Sequence, residues 1–147
     1  MLDDLDKSII RALQHDGRKS YAKLAPEVGL SQAAVRQRVQ RLTESGVIQV
    51  VAVTDPLSVG FTIQAMVGIN ADGDLRSIGA ELGKLAEIDY VVVASGRYDL
   101  LVEVVCENSK DLFDLVNDVI RSTPGVRSAE VFTYLDLVKQ TYTWGTR

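Results

Sequence analysis

The chain has 147 residues, 46% of them apolar, and a formal net charge of −4, so it can bury a core and is not a disordered chain. The single cysteine, Cys106, excludes an internal disulfide, and His15 is the one histidine. Within a single chain they also leave little for cysteine-rich zinc sites, Cys-His pairs or Ser-His-Asp chemistry. No apolar run approaches the ~18 residues of a membrane span, and the opening MLDDLDKS is acidic where a signal peptide is basic and then apolar, so a soluble cytoplasmic protein without a membrane partner is expected.

The charge is uneven. Residues 1–60 hold 8 Lys+Arg against 7 Asp+Glu, whereas 61–147 hold 8 against 13. Within 17–41 stand six bases, Arg18, Lys19, Lys23, Arg36, Arg38 and Arg41, and one acid, Glu27. A local basic surface on an acidic chain fits either a polyanion contact or a solvated helix face.

Leu5, Ile9, Ala12 and Leu13 recur at helical spacing, which predicts an amphipathic helix over 3–15, with Asp3 and Asp4 at its positive end. Gly17 ends it. Ser20 caps a second, short helix whose apolar face is Leu24, Ala25 and Val28, and Gly29 ends that one. Pro26 lies inside it and predicts a slight kink or a 3₁₀ end. Ser31 caps a third helix, with Val35, Val39 and Leu42 inward and Gly46 as its stop. Two helices joined by Gly-Leu-Ser behind a support helix form a helix-turn-helix.

If Val35, Val39 and Leu42 face inward, Ala33, Gln37 and Gln40 face out, with Arg36, Arg38 and Arg41 on the flanks. Small and amide side chains at the front suit entry into a major groove, and arginines at the sides suit the phosphate walls. A solubilising face would more often alternate Glu and Lys. The candidate DNA contacts are Ser20, Lys23, Ser31, Gln32, Ala33, Arg36, Gln37, Arg38 and Arg41. The run VIQVVAVTD after Gly46 predicts a strand or hairpin, the wing of this unit. DPLSVGF, with its Pro and Gly, marks a linker. The expected division is 1–52 for the helix-turn-helix, 53–60 for the linker and 61–147 for a second domain.

From Phe61 the pattern becomes strand FTIQAMVGIN, a helix capped by Asp74 with Ile78, Leu82 and Leu85 inward, strands DYVVVAS and DLLVEVVCE around GRY, and a helix capped by Ser109 with Leu112, Leu115, Val116, Val119 and Ile120 inward. A long last strand, VRSAEVFTYLDLVKQTYTW, follows the TPG stop. The order β-α-β-β-α-β is the ferredoxin-like split unit, so the fold class is α+β. Its sheet has one face under the helices and one that needs a cover, which predicts a second copy. In SGRYDLL, glycine starts a turn, and Asp99 stands where the chain reverses. Turn amides can hold a carboxylate and an acid can hold an ammonium, but Gly and Asp are also ordinary turn formers.

With these residues in view, the chain resembles the Lrp/AsnC family of transcription regulators. LDDLDKSIIRALQHDGR resembles the family's opening helix, and YAKLAPEVGLSQAAVRQRVQRLTESGVI its helix-turn-helix, with the Gly-Leu-Ser turn, the Arg-Val-Gln-Arg-Leu core at 38–42 and the Gly-Val-Ile exit at 46–48. GRYDLLVEV is similar to the Gly-x-x-Asp segment of its effector domain. The resemblance implies an N-terminal winged helix-turn-helix followed by an ACT-like domain, often called RAM, that pairs through its sheets into dimers. It further implies assembly of dimers into an octamer, and an amino-acid effector held between dimers near the Gly-x-x-Asp turn and the last strand. By that match Gly96, Arg97, Tyr98, Asp99 and Thr133 are the effector candidates, with no metal and no cofactor.

Two other functions fit a fold of this kind. Siroheme decarboxylases resemble the family, but their chemistry is expected to use histidine and arginine in the C-terminal domain, and no histidine follows His15. A sensor without DNA binding would carry acids or bulky residues at the front of the third helix, where this chain has Ala33, Gln37 and Gln40.

Overall fold

The structure, a computed structural model, describes residues 2–146. It divides into two compact units, Met1–Val53 with Lys139–Arg147, and Thr54–Val138. The segment Lys139–Arg147, read from sequence as the end of the second domain, thus groups with the first unit.

In the first unit, α1 (Asp4–His15) starts at Asp3, whose carboxylate accepts from the Asp6 amide while the Asp6 carboxylate accepts from the Asp3 amide. This reciprocal capping box satisfies two orphan donors. Helix α2 (Tyr21–Val28) is capped by Ser20, and α3 (Gln32–Glu44) by Ser31. Gly29 closes α2 with φ +70°, a left-handed turn that glycine takes without strain. Helix α2 stays α-helical through Pro26, with no 3₁₀ end. The proline is exposed, so its ring is turned to solvent and away from the core. The three helices close on Ile9, Ile10, Leu24, Ala25, Val35, Val39 and Leu42.

The expected wing is not formed. Residues 47–55 carry no strand, and Val47, Val50, Val51 and Val53 are exposed. A strand needs a second backbone to pair with, and residues 47–55 pair with none among the described residues.

In the second unit a 3₁₀ turn, Pro56–Val59, leads into β1 (Ile63–Ala71), α4 (Leu75–Leu82), β2 (Ile88–Val93), β3 (Leu100–Cys106), α5 (Ser109–Asp114) and β4 (Val126–Thr133). Helix α5 continues as a π-helical stretch, Leu115–Ile120. Asn108, not Ser109, caps α5, because its side chain reaches the amides of Lys110 and Asp111. The antiparallel sheet runs β2-β3-β1-β4, the ferredoxin-like order that the element pattern predicts.

Alternation along β1 buries Ala65, Val67 and Ile69 against Ile78 and Leu82 of α4 and Leu115, Val116 and Ile120. Gln64, Met66, Gly68 and Asn70 line the other face, opposite Glu103 and Leu101 on β3 and Phe132, Glu130 and Ser128 on β4. The last strand is shorter than expected. It ends at Thr133, opposite Ala65, because β1 has almost run out there, and the amide of Tyr134 makes the last bond, to Gln64 O. Residues 134–146 have no helix or strand, and Leu135, Val138 and Trp144 are almost fully exposed.

Candidate functional site

The first candidate surface is the helix-turn-helix. The Ser20 and Ser31 hydroxyl oxygens accept from the amides of Lys23 and Ala34, so both residues start their helices while standing exposed beside the turn. Gln32, Ala33, Arg36, Gln37 and Gln40 are exposed on α3, the face expected to meet DNA. The Arg36 guanidinium lies 5.9 Å above the Tyr21 ring, a cation–π contact that orients it without neutralising it. Among the described residues neither Lys23 nor Arg36 makes an ion pair, whereas Lys19 is paired to Glu27 at 2.8 Å.

Arg38 and Arg41 are placed differently from the expectation that they flank the helix as free phosphate contacts. Both turn toward α1. Arg38 Nη1 donates to Asp3 Oδ2 and Asp6 Oδ1, each at 2.7 Å, and Arg41 Nη2 donates to Asp6 at 2.7 and 2.6 Å. Asp6 is 1% exposed. A buried carboxylate must be paired, and here two guanidiniums pair it. The Asp6 amide and the Arg38 side chain together hold the Asp3 carboxyl below the usual aspartate range. Asp6 is the residue that sequence reasoning passed over. The signal was present: Asp6 lies three and four residues before Ile9 and Ile10, on the inward stripe.

The second candidate site is the turn 94–99. The Ala94 amide donates to Asp99 O and the Asp99 amide to Ile69 O, which ties the turn to the end of β1. Gly96 has φ +139°, open to glycine and strained for other residues. Asp99 Oδ2 accepts from the buried Ala71 amide at 2.9 Å, with Arg127 Nη2 3.8 Å away. No hydrogen bond is made to Asp99 Oδ1 among the described residues. Arg127 is held by Asp72 at 3.2 Å.

The Tyr98 ring lies on Gly68 and meets Phe132 edge to face at 5.8 Å, and its hydroxyl bonds Glu130. That bond, then partial burial, pushes the phenol pKa up. Arg97 pairs with Glu130 at 3.2 Å and lies 5.4 Å over the Tyr98 ring. Of the expected effector residues, Gly96, Arg97, Tyr98 and Asp99 therefore form one cluster, joined by Glu130, Phe132, Gly68 and Arg127. Thr133 is not part of it. It is opposite Ala65, an odd number of residues from Gly68, so it belongs to the other face of the sheet.

No helix among the described residues is long and apolar enough to cross a membrane. No group of three or more metal-ligating side chains occurs among them.

A helix-turn-helix joined to a βαββαβ unit defines a class of DNA-binding regulators, and known proteins give that class its name. Residues 2–43 match the AsnC-type helix-turn-helix domain, and 61–147 match the family model described as the PF0864 C-terminal dimeric alpha+beta barrel domain. The HTH-type transcriptional regulator FL11 of Pyrococcus furiosus is 34% identical over 143 residues, covering 96% of this chain and 94% of FL11. The leucine response regulatory protein LrpA of Mycobacterium tuberculosis superposes with a TM-score of 0.86 at 31% identity, covering 95% of this chain and 96% of LrpA. The transcriptional regulator NMB0573 of Neisseria meningitidis, solved as a complex with L-Met, superposes with a TM-score of 0.82 at 26% identity, covering 96% of this chain and 94% of that one. This chain belongs to the Lrp/AsnC family of transcription regulators, with an N-terminal helix-turn-helix DNA-binding domain and a C-terminal α+β domain.

Proposed function

We propose that this protein is a cytoplasmic, sequence-specific transcription regulator whose DNA binding or assembly is controlled by a free amino acid, and that it catalyses no reaction. Residues 1–52 read the operator, 53–60 link, and 61–147 bind the effector and assemble the oligomer. The DNA contacts are Gln32, Ala33 and Gln37 toward the bases, with Ser20, Lys23, Ser31 and Arg36 toward phosphate. The open sheet face, with Phe132 and Tyr90 exposed, supports pairing into a dimer. Dimers assemble further, into an octamer.

The observation that carries the effector reading is the free Oδ1 of Asp99 beside a glycine-only turn. A free amino acid presents an ammonium and a carboxylate close together. Asp99 Oδ1 accepts from the ammonium, and the turn amides after Gly96 or the Arg97 guanidinium receive the carboxylate. The relative NMB0573, solved with L-Met, supports an amino acid as the ligand class.

The test is calorimetry of the full chain with each of the twenty amino acids and with their N-acetyl and amide forms. At least one free amino acid is expected to bind, and its blocked forms to bind far more weakly. Binding by none of the twenty, or equal binding of the blocked forms, contradicts the reading.

A further inference from the structure

Two carboxylates stand at the start of α1 in the DNA-reading unit, Asp3 at the surface and Asp6 buried, and their geometry bears on how α3 meets DNA. Asp6 is the one buried charged residue among those described. Its two oxygens take three short hydrogen bonds from Arg38 and Arg41, 32 and 35 residues away, and Asp3 takes a fourth from Arg38. The capping box fixes both carboxylates to the backbone of α1. The result is a four-charge cluster, two carboxylates and two guanidiniums, with no net charge.

We propose that Asp6, assisted by Asp3, is a specificity-determining positioning residue for DNA recognition: it holds α3 in one orientation on α1 and withholds Arg38 and Arg41 from non-specific phosphate binding. This rests on the assignment of α3 as the DNA-reading helix.

First, the apolar seam of Val35, Val39 and Leu42 fixes the angle of α3 less sharply than directional bonds do, since hydrophobic burial is non-directional. Any rotation that drew Arg38 and Arg41 away would leave a carboxylate buried and unpaired, which is far more costly. The polar lock therefore sets the angle at which Gln37 and Ala33 present themselves. Second, non-specific affinity for duplex DNA comes from cations that release counterions. Arg38 and Arg41 arrive with their charge already balanced. The Arg41 side chain is 58% exposed, so it stands at the surface while bonded inward. The uncompensated cations at the motif are Arg18, Lys23 and Arg36, which make no ion pair among the described residues.

The test is fluorescence anisotropy of the full-length wild type, Asp6→Asn and Asp3→Asn, on a random-sequence duplex and on the best duplex selected from a random pool, between 50 and 200 mM salt. Asparagine keeps the shape of both side chains and remains a good N-cap at position 3. For Asp6→Asn the log–log salt slope on the random duplex is expected to steepen by about one to two. Its preference for the selected duplex is expected to fall by about tenfold, within the range one bidentate base contact contributes. Asp3→Asn, at an exposed residue with one arginine bond, is expected to steepen the slope by less.

A merely structural carboxylate predicts the opposite pattern, lower affinity on every duplex with a slope that is flat or unchanged. That pattern, or no change at all in a folded Asp6→Asn protein, overturns the proposal. If circular dichroism shows that Asp6→Asn does not fold, Asp3→Asn decides, and an unchanged slope there overturns it. A wild type that binds neither duplex overturns the DNA assignment of α3 and this proposal together, whereas binding with unaltered slopes in both variants overturns this proposal alone.

Discussion

The Tyr98 ring rests on the bare backbone of Gly68: a Cβ added there would stand 2.7 Å from the nearest ring carbons. Gly68 is in the middle of β1, where glycine contributes no strand propensity, so its presence follows from this close approach. The ring held there presents its hydroxyl to Glu130 and its edge to Phe132.

Gly68→Ala is therefore expected to cost about 1–3 kcal/mol, the usual penalty for overpacking. In a Tyr98→Ala background the same change is expected to cost much less, because the clashing ring is gone. Urea unfolding of the two single variants and the double variant measures the coupling. Additive losses would show that Gly68 serves some other end.

Asp99 has two separable tasks. Its Oδ2 accepts from the buried Ala71 amide, and its charge faces the turn. Asp99→Ala leaves that amide without a partner and is expected to cost about 1–3 kcal/mol of stability. Asp99→Asn keeps an acceptor for Ala71 and removes the charge. It is expected to stay close to wild-type stability and to lose amino-acid binding in calorimetry, with DNA binding largely kept. An Asn variant that binds the amino acid as the wild type does would contradict the ammonium-pairing role.

At the helix-turn-helix the free cations are expected to carry the salt dependence. Arg36→Ala and Lys23→Ala should each flatten the log–log slope by about one phosphate contact and weaken selected and random duplexes alike. Anisotropy titrations at several salt concentrations make the comparison. Unchanged slopes in both folded variants would move the phosphate contacts elsewhere.

The acid limb of stability should report on Asp3. Its carboxyl is held below the ordinary aspartate range by the Asp6 amide and then by Arg38. A group with a depressed folded pKa contributes stability that is present above its unfolded value and is lost as pH falls through the folded one. Asp3 therefore contributes to the loss of stability below about pH 4. Asp3→Asn is expected to flatten that limb in thermal unfolding followed from pH 5 to pH 2, leaving the curve near neutrality parallel to wild type. An identical acid limb in the variant would show that Asp3 adds nothing there.

Much of this molecule was legible in its sequence because local signals and tertiary structure agree. Ser20 and Ser31 cap the helices they predict, Gly29 takes the left-handed turn, and the βαββαβ order yields the observed sheet. What could not be read depended on distant partners. Helical periodicity puts Arg38 and Arg41 on the flanks of α3, but only folding brings Asp6 of α1 beside them. The apolar residues of the final strand continue past Thr133, yet only Gln64 and Ile63 of β1 lie beyond Ala65, and the Tyr134 amide makes the last bond there. Thr133 fell on the wrong face for the turn because strand parity reverses with each residue, and the neighbours of Tyr98 proved to be Glu130 and Phe132.

The central claim, that α3 reads sequence through its exposed face, is tested most directly by selecting duplexes from a random pool with wild-type protein and with Gln37→Ala. A glutamine can bond the N6 and N7 of adenine, and such a contact contributes ~1–3 kcal/mol of discrimination. The wild type is expected to enrich one palindromic site, with half-sites about one helical turn, or a multiple of it, apart. Gln37→Ala is expected to enrich the same site with the preference relaxed at one base pair of each half. No enrichment by the wild type, or an unchanged site for a folded Gln37→Ala protein, would contradict the account.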